Sequence, residues 1–155
     1  MKVAATVPLE LDTEAGRVRR DLPVQPVSPT ILVSRDGAPM LYDADSGLPL
    51  DAAHMARPNG RLQIWMTGLG KVRPDWPTGM QAPLDNPPAV VANVRAFLDR
   101  TPLRVTKATL LPGFVGFYLI EVELPSIANS GTAEFFVSAD GQESNRVQLV
   151  MGASY

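Results

Sequence analysis

An antiparallel, all-β sandwich is the fold class this sequence predicts, and three observations predict it. Residues 118–124 alternate: Tyr118, Ile120, Val122 and Leu124 fall on one face, Glu121 and Glu123 on the other. That period of two is what a strand shows when one face meets a core and the other meets water. Fifteen prolines and twelve glycines punctuate 155 residues, a density that short strands joined by turns tolerate and dozen-residue helices do not. Strand candidates also recur at intervals of about ten residues, the spacing of a sandwich.

Taken in order, residues 5–11 and 21–27 are short and proline-flanked, which suits edge strands or linker. Residues 30–34 are β-branched and lead to the turn Arg35-Asp36-Gly37; residues 39–42 precede a second turn, Asp43-Ala44-Asp45-Ser46-Gly47. The segment 48–60 is the least regular and ends in a strong turn signal, Arg57-Pro58-Asn59-Gly60. Residues 61–67 then alternate Leu62, Ile64 and Met66 against Gln63, Trp65 and Thr67, until Gly68-Leu69-Gly70 breaks the pattern. A long loop of roughly twenty residues follows, carrying Pro74, Pro77, Pro83, Pro87 and Pro88 around Trp76. Residues 90–98 and 103–110 form a hairpin around Asp99-Arg100-Thr101-Pro102. Residues 89–99 also read at helical periodicity behind Pro87-Pro88, but the β-branched segments flanking them favour sheet. Residues 133–139 and 143–150 close the fold over Asp140-Gly141, a pair that favours a tight primed turn.

Composition narrows the function. The length fits one domain, with or without an attached extension, and 45% apolar with 19% charged residues is the make-up of a folded globule. Net charge is −2. The one basic cluster, Arg17, Arg19 and Arg20, sits beside Glu14 and Asp21 with no aromatic nearby and reads as a solvated loop. Nucleic-acid binding wants a continuous positive track, so no nucleic-acid partner is expected. Cysteine is absent, which removes disulfides, thiolate catalysis and cysteine-bound metals. No apolar run approaches the eighteen or so residues of a membrane span, so membrane insertion is not expected. Residues 1–7 carry one positive charge, but Pro8 and Glu10 cut off any hydrophobic region, so they do not read as a signal peptide.

Chemistry-bearing residues are sparse. His54 is the single histidine and lies in the irregular segment, with no Gly-x-Ser-x-Gly elbow anywhere; it reads as a surface residue. Asp43, Asp45 and Asp51 are weak candidates for a cation, since alternating carboxylates can converge on one ion. The calcium-loop pattern fails because Gly47 stands at the third ligand position and no glutamate stands at the twelfth. Asp, Ser and Gly are better explained there as turn formers. Glu121, Glu123 and Glu134 could pair for glycoside hydrolysis only inside a cleft with sugar-binding aromatics, and acids alternating on a solvated face are commonplace. Among the aromatics, Trp65 and Trp76 are the candidates for ligand or partner contact, while Phe114 and Phe117 are expected to plug the end of the sandwich. Gly68-Leu69-Gly70 lacks the third glycine of a phosphate loop. No catalytic residue, metal or cofactor is expected.

Several segments recur together in a known order. They are Ala56-Arg57-Pro58-Asn59-Gly60, Ile64-Trp65-Met66-Thr67-Gly68-Leu69-Gly70, Leu110-Leu111-Pro112-Gly113-Phe114-Val115-Gly116, residues 118–125, and residues 141–150 with Ser144-Asn145. Over about residues 29–150 this resembles the C-terminal immunoglobulin-like modules, related to the IPT/TIG type, of large secreted proteins of acidobacteria and similar soil bacteria. Their pattern has an Ala-Arg-Pro-Gly turn, a Thr-Gly-Leu-Gly box, a Pro-rich loop, Leu-Ala-Pro-Gly-Phe-Val-Gly before an alternating strand, and Ser-Asn in the last hairpin. The chain departs from it at Lys71, at Thr30 and Leu32, and at Asp99-Arg100.

The resemblance implies an immunoglobulin-like β-sandwich over residues 29–155, with residues 1–28 a linker, or the remnant or donated strand of a preceding module. It implies no enzymatic activity, and it implies a structural or adhesion module outside the cell or on its surface. The partners would be neighbouring domains of the parent protein. Two alternatives stand beside it: a self-assembling filament or shell subunit in which residues 5–28 add a strand to another copy, and an accessory module that binds a glycan through Trp65 and Trp76.

Overall fold

The computed structural model describes residues 5–126 and 131–153; the part of the leader reading that rests on residues 1–4 lies outside them. Among the described residues the chain is all-β, with antiparallel sheets in a curled, sandwich-like arrangement. Strands β1 (Ala5–Thr13) and β2 (Gly16–Val24) pair only with each other. The body comprises β3 (Thr30–Ile31), β4 (Leu41–Asp43), β5 (Arg61–Thr67), β6 (Val72–Arg73), β7 (Ala89–Val90), β8 (Val94–Leu98), β9 (Thr101–Leu110), β10 (Tyr118–Glu123), β11 (Gly131–Ala139), β12 (Gln142–Glu143) and β13 (Val147–Met151).

Strand β9 makes the curl. Its first residues pair with β8, Leu98↔Thr101 to Ala96↔Leu103, and the rest pair with β10, Arg104↔Glu123 to Leu110↔Tyr118. One long strand thus belongs to both layers. The register slips between Glu121 and Val122, leaving Thr106 as the extra residue of a bulge; bulges bend and twist a strand where a sheet must turn a corner. Order across the body runs β12-β11-β8-β9-β10-β5-β3, with β13 also on β11 and β4 also on β5.

The alternation in the sequence supplies the core. Leu62, Ile64 and Met66 of β5, Ile120 and Val122 of β10, and Phe135 and Val137 of β11 are all fully buried. Each such side chain contributes about 1.5–3 kcal/mol by leaving water. The two predicted hairpins close on tight turns. Asp99 and Arg100 have φ of 45° and 67°, and Asp140 and Gly141 have φ of 47° and 83°, the mirror-image turn whose twist matches paired strands. Asp99 is further held because its carboxylate accepts the Glu134 N–H at 2.9 Å while its own N–H donates to the Glu134 carbonyl at 2.8 Å.

Two sequence motifs turn out to be joints. In the Thr67-Gly68-Leu69-Gly70 box, Leu69 is fully buried and the glycines admit the incoming chain. A Cβ on Gly68 would stand 1.8 Å from the Ser28 carbonyl oxygen, and one on Gly70 would stand 2.7 Å from that of Pro26. Ser28 N–H donates to the Gly68 carbonyl at 2.8 Å, and Tyr118 Oη donates to the Gly70 carbonyl at 2.6 Å. The second joint is Ser144-Asn145. Asn145 Oδ1 accepts the Ile31 N–H at 2.7 Å and its Nδ2 donates to the Ile31 carbonyl at 3.1 Å, so one side chain pairs with β3 as a strand would. Ser144 Oγ accepts the Val137 N–H at 2.9 Å and donates to the Asn145 carbonyl. A parallel bridge from Ala56 to Met151 ties the layers again.

Four expectations are corrected. Residues 143–150 are not one strand: pairing with β11 stops at Glu143 and resumes at Val147, and between them the side chains of Ser144 and Asn145 bond the backbone of Val137 and Ile31. Residues 90–98 break at 91–93, where Val91 N–H goes to Lys71 and Asn93 N–H goes to the Asp140 carboxylate. Pairing over 30–34 shortens to Thr30–Ile31 and a bridge from Val33 to Pro39. The outer face of β10 is not simply solvated: Leu119 is buried, and only 13% of the Glu121 side chain is accessible.

Candidate functional site

The first twenty-odd described residues form an amphipathic arm. In the antiparallel register Ala5↔Val24 to Thr13↔Gly16, side chains alternate between two faces. One face carries Val7, Leu9 and Leu11 of β1 beside Leu22, Arg20 and Val18 of β2. The other carries Glu10 and Asp12 opposite Arg19 and Arg17. Arg17 meets Asp12 through two bonds of 2.8 and 3.2 Å, and Arg19 approaches Glu10 at 3.8 Å. The bond to Asp12 raises the Arg17 pKa. The basic cluster is therefore strand, not the solvated loop expected from composition; two of its arginines neutralise cross-strand acids and the third lies on the aliphatic face.

Every residue of both strands is exposed. Val7, Leu9, Leu11, Val18, Leu22 and Val24 remain 43–58% accessible, although a monomer ordinarily covers a continuous aliphatic stripe. A lone two-stranded ribbon is marginal in water. Sequence reading missed this arm by treating 5–11 and 21–27 as separate edges. The signal was present in the matched apolar alternation on either side of Glu14-Ala15.

A second cluster lies on the outer face of β5 and β10. Trp65 packs against Tyr42 with ring centroids 4.9 Å apart and against Phe114 at 5.3 Å, and Phe114 lies 6.2 Å from Phe117. Neighbouring rings are tilted by 36–56°, so they pack on one another and do not spread into one flat platform. Trp76 belongs to a different group: its indole N–H donates to the Met80 carbonyl at 3.2 Å and it packs on the small cluster formed by Val72, Ala82 and Leu110. Next to Trp65 on the same face, Glu121 accepts from Arg61 at 3.2 Å, from Gln63 at 3.3 Å and from Thr106 at 3.3 Å. Glu123 is held by Arg104 on β9, and Glu134, on β11 of the other layer, by Arg146 at 2.6 Å. The three glutamates do not converge.

The candidate cation ligands also part company. Asp43 Oδ1 accepts the N–H groups of Asp45 and Ser46 at 2.7 and 3.2 Å; Asp51 Oδ1 accepts those of Ala53 and His54, both at 2.8 Å, which lowers its pKa. Asp45 is paired with Arg61, whose pKa rises in consequence. Among the described residues no group of three His, Cys, Asp or Glu side chains could share a metal. Asp43, Asp45, Arg57, Arg61 and the exposed His54 line an open cleft of about 1000 Å³, but the carboxylates and Arg61 there are engaged as described. No helix among the described residues is long and apolar enough to cross a membrane. No protein-family model, curated protein or solved structure matches the chain.

Proposed function

We propose that the chain is a non-catalytic structural or adhesion module, immunoglobulin-like in type, of a secreted or cell-surface bacterial protein, and that it works through protein–protein contacts. One observation carries the reading: a β-hairpin stands off the body, pairs only with itself and holds a row of aliphatic side chains in water. A surface of this kind contributes nothing to the stability of the free chain and contributes strongly once covered, which is the energetic signature of a contact element. The motif resemblance over residues 29–150 supports the same class and supplies the extracellular setting. Strand addition by residues 5–28 has less support, because prolines stand on both strands of the hairpin. Glycan binding has less support too, since Trp65 and Trp76 lie in separate clusters.

The test uses the full chain with Val7→Glu and Leu22→Glu together, a change confined to the exposed face. Binding to the remaining segments of the parent polypeptide and to cell-surface protein, followed by biolayer interferometry, should fall at least roughly tenfold. Unchanged binding refutes the proposal.

A further inference from the structure

We infer that the aliphatic face of the β1–β2 hairpin is a homodimer surface, covered by the same face of a second copy of this chain. The inference rests on the interaction-module reading and names its partner.

Geometry separates face packing from edge pairing. The hairpin is joined through two residues, Glu14 and Ala15, so Thr13 and Gly16 close it as a hydrogen-bonded pair and the pairs alternate from there. Pro8 (opposite Asp21) and Pro23 (opposite Thr6) therefore occupy non-hydrogen-bonded pairs, where the backbone nitrogen faces the open edge. Each strand thus presents its outer edge with a donor missing, and the remaining outward positions include Glu10, Asp12, Arg17 and Arg19. Prolines and charges on edge strands block strand addition. The far face is charged: Glu10 and Asp12 pair with Arg19 and Arg17 there, and the carboxylate of Asp21 beside them favours water over an apolar partner. Only the aliphatic face remains open.

That face fits itself. Six aliphatic side chains, each about half accessible, offer on the order of 500 Å² per copy. Two hairpins stacked face to face would bury about 1,000 Å² in total, at the lower bound of a specific interface and fit for a weak, reversible dimer. The stacked pair is a four-stranded sandwich in miniature, its two sheets about 10 Å apart with the aliphatic side chains filling the space between them. Arg20 does not oppose it. In a two-stranded ribbon every residue borders an edge, so its aliphatic stem can lie along the seam with the guanidinium in water. A two-fold axis through the centre of the face brings Leu9 of each copy near Leu9 of the other, and the interface is isologous and closes at two copies.

Sedimentation equilibrium of the full chain up to about 100 µM should give a monomer–dimer equilibrium. Leu9→Arg should weaken it at least roughly tenfold while far-ultraviolet dichroism and melting of the body stay unchanged; Leu9→Met should retain it. Leu84→Glu, at an exposed aliphatic residue of the body, should leave the dimer intact. Because the chain lacks cysteine, Leu9→Cys provides a single thiol, and oxidation should link two copies where Leu84→Cys does not. A chain monomeric throughout, or an assembly that survives Leu9→Arg and falls with Leu84→Glu, overturns the inference. Such a result leaves the interaction-module proposal standing, because that proposal is judged by binding to other proteins.

Discussion

Asn145→Ala tests the joint between the layers most directly. Asn145 holds both backbone groups of Ile31 at 2.7 and 3.1 Å, and Ile31 is fully buried. Stranding two buried backbone groups costs about 1–3 kcal/mol each when no water reaches them. Asn145 itself lies at the surface, so truncating it opens a path by which water can solvate the freed groups. The lower end then applies to each, and the sum is about 2 kcal/mol. For a domain of this size that is a fall in Tm of about 4–8 °C. Urea unfolding followed by tryptophan fluorescence should show an earlier midpoint with an unchanged slope. Asn145→Asp should be at least as damaging, because it keeps the acceptor for Ile31 N–H and turns a second oxygen toward the Ile31 carbonyl. A loss below about 0.5 kcal/mol for Asn145→Ala would refute the reasoning.

Gly68→Ala should be far costlier than Gly116→Ala in thermal melts. Both have φ near +80°, but a Cβ on Gly68 meets the Ser28 carbonyl oxygen at 1.8 Å while one on Gly116 meets nothing within 4 Å; about 1 kcal/mol is expected at Gly116 and several at Gly68. Glu121→Gln should destabilise by about 1 kcal/mol in urea titrations, since Glu121 is an acceptor for Arg61, Gln63 and Thr106; a silent substitution would mean that these contacts contribute nothing. Burial raises the Tyr118 pKa above its usual value of 10.0. Its share of stability is therefore complete below pH 10 and is lost as pH climbs through the raised value. Tyr118→Phe should flatten that alkaline decline, and absorbance titration of the wild type should show one tyrosine ionising late. Ile120→Asp should abolish cooperative unfolding, because it leaves an uncompensated charge at a fully buried site.

Much of the body was legible in the sequence because period two is a local record of burial. Ile64, Ile120 and Val122 are buried as their alternation required, and Asp99-Arg100 and Asp140-Gly141 turn where turn chemistry placed them. Glu121 shows where that record fails. Its neighbours in sequence give it an outward face, yet Arg61, Gln63 and Thr106, drawn from two other strands, enclose it. The Ser144-Asn145 pair was visible as a motif, but its chemistry was not, because its partner Ile31 lies 114 residues away. For the hairpin, the residues of both strands were in view, and only their register brought Val7, Leu11, Val18 and Leu22 to one side and the ion pairs to the other. By itself the sequence determined which side chains each strand offers inward and where the chain reverses, since both follow from neighbouring residues. Tertiary structure alone decided which strands meet, which glutamate is enclosed and which aliphatic face is left open, since each depends on residues that only folding brings together.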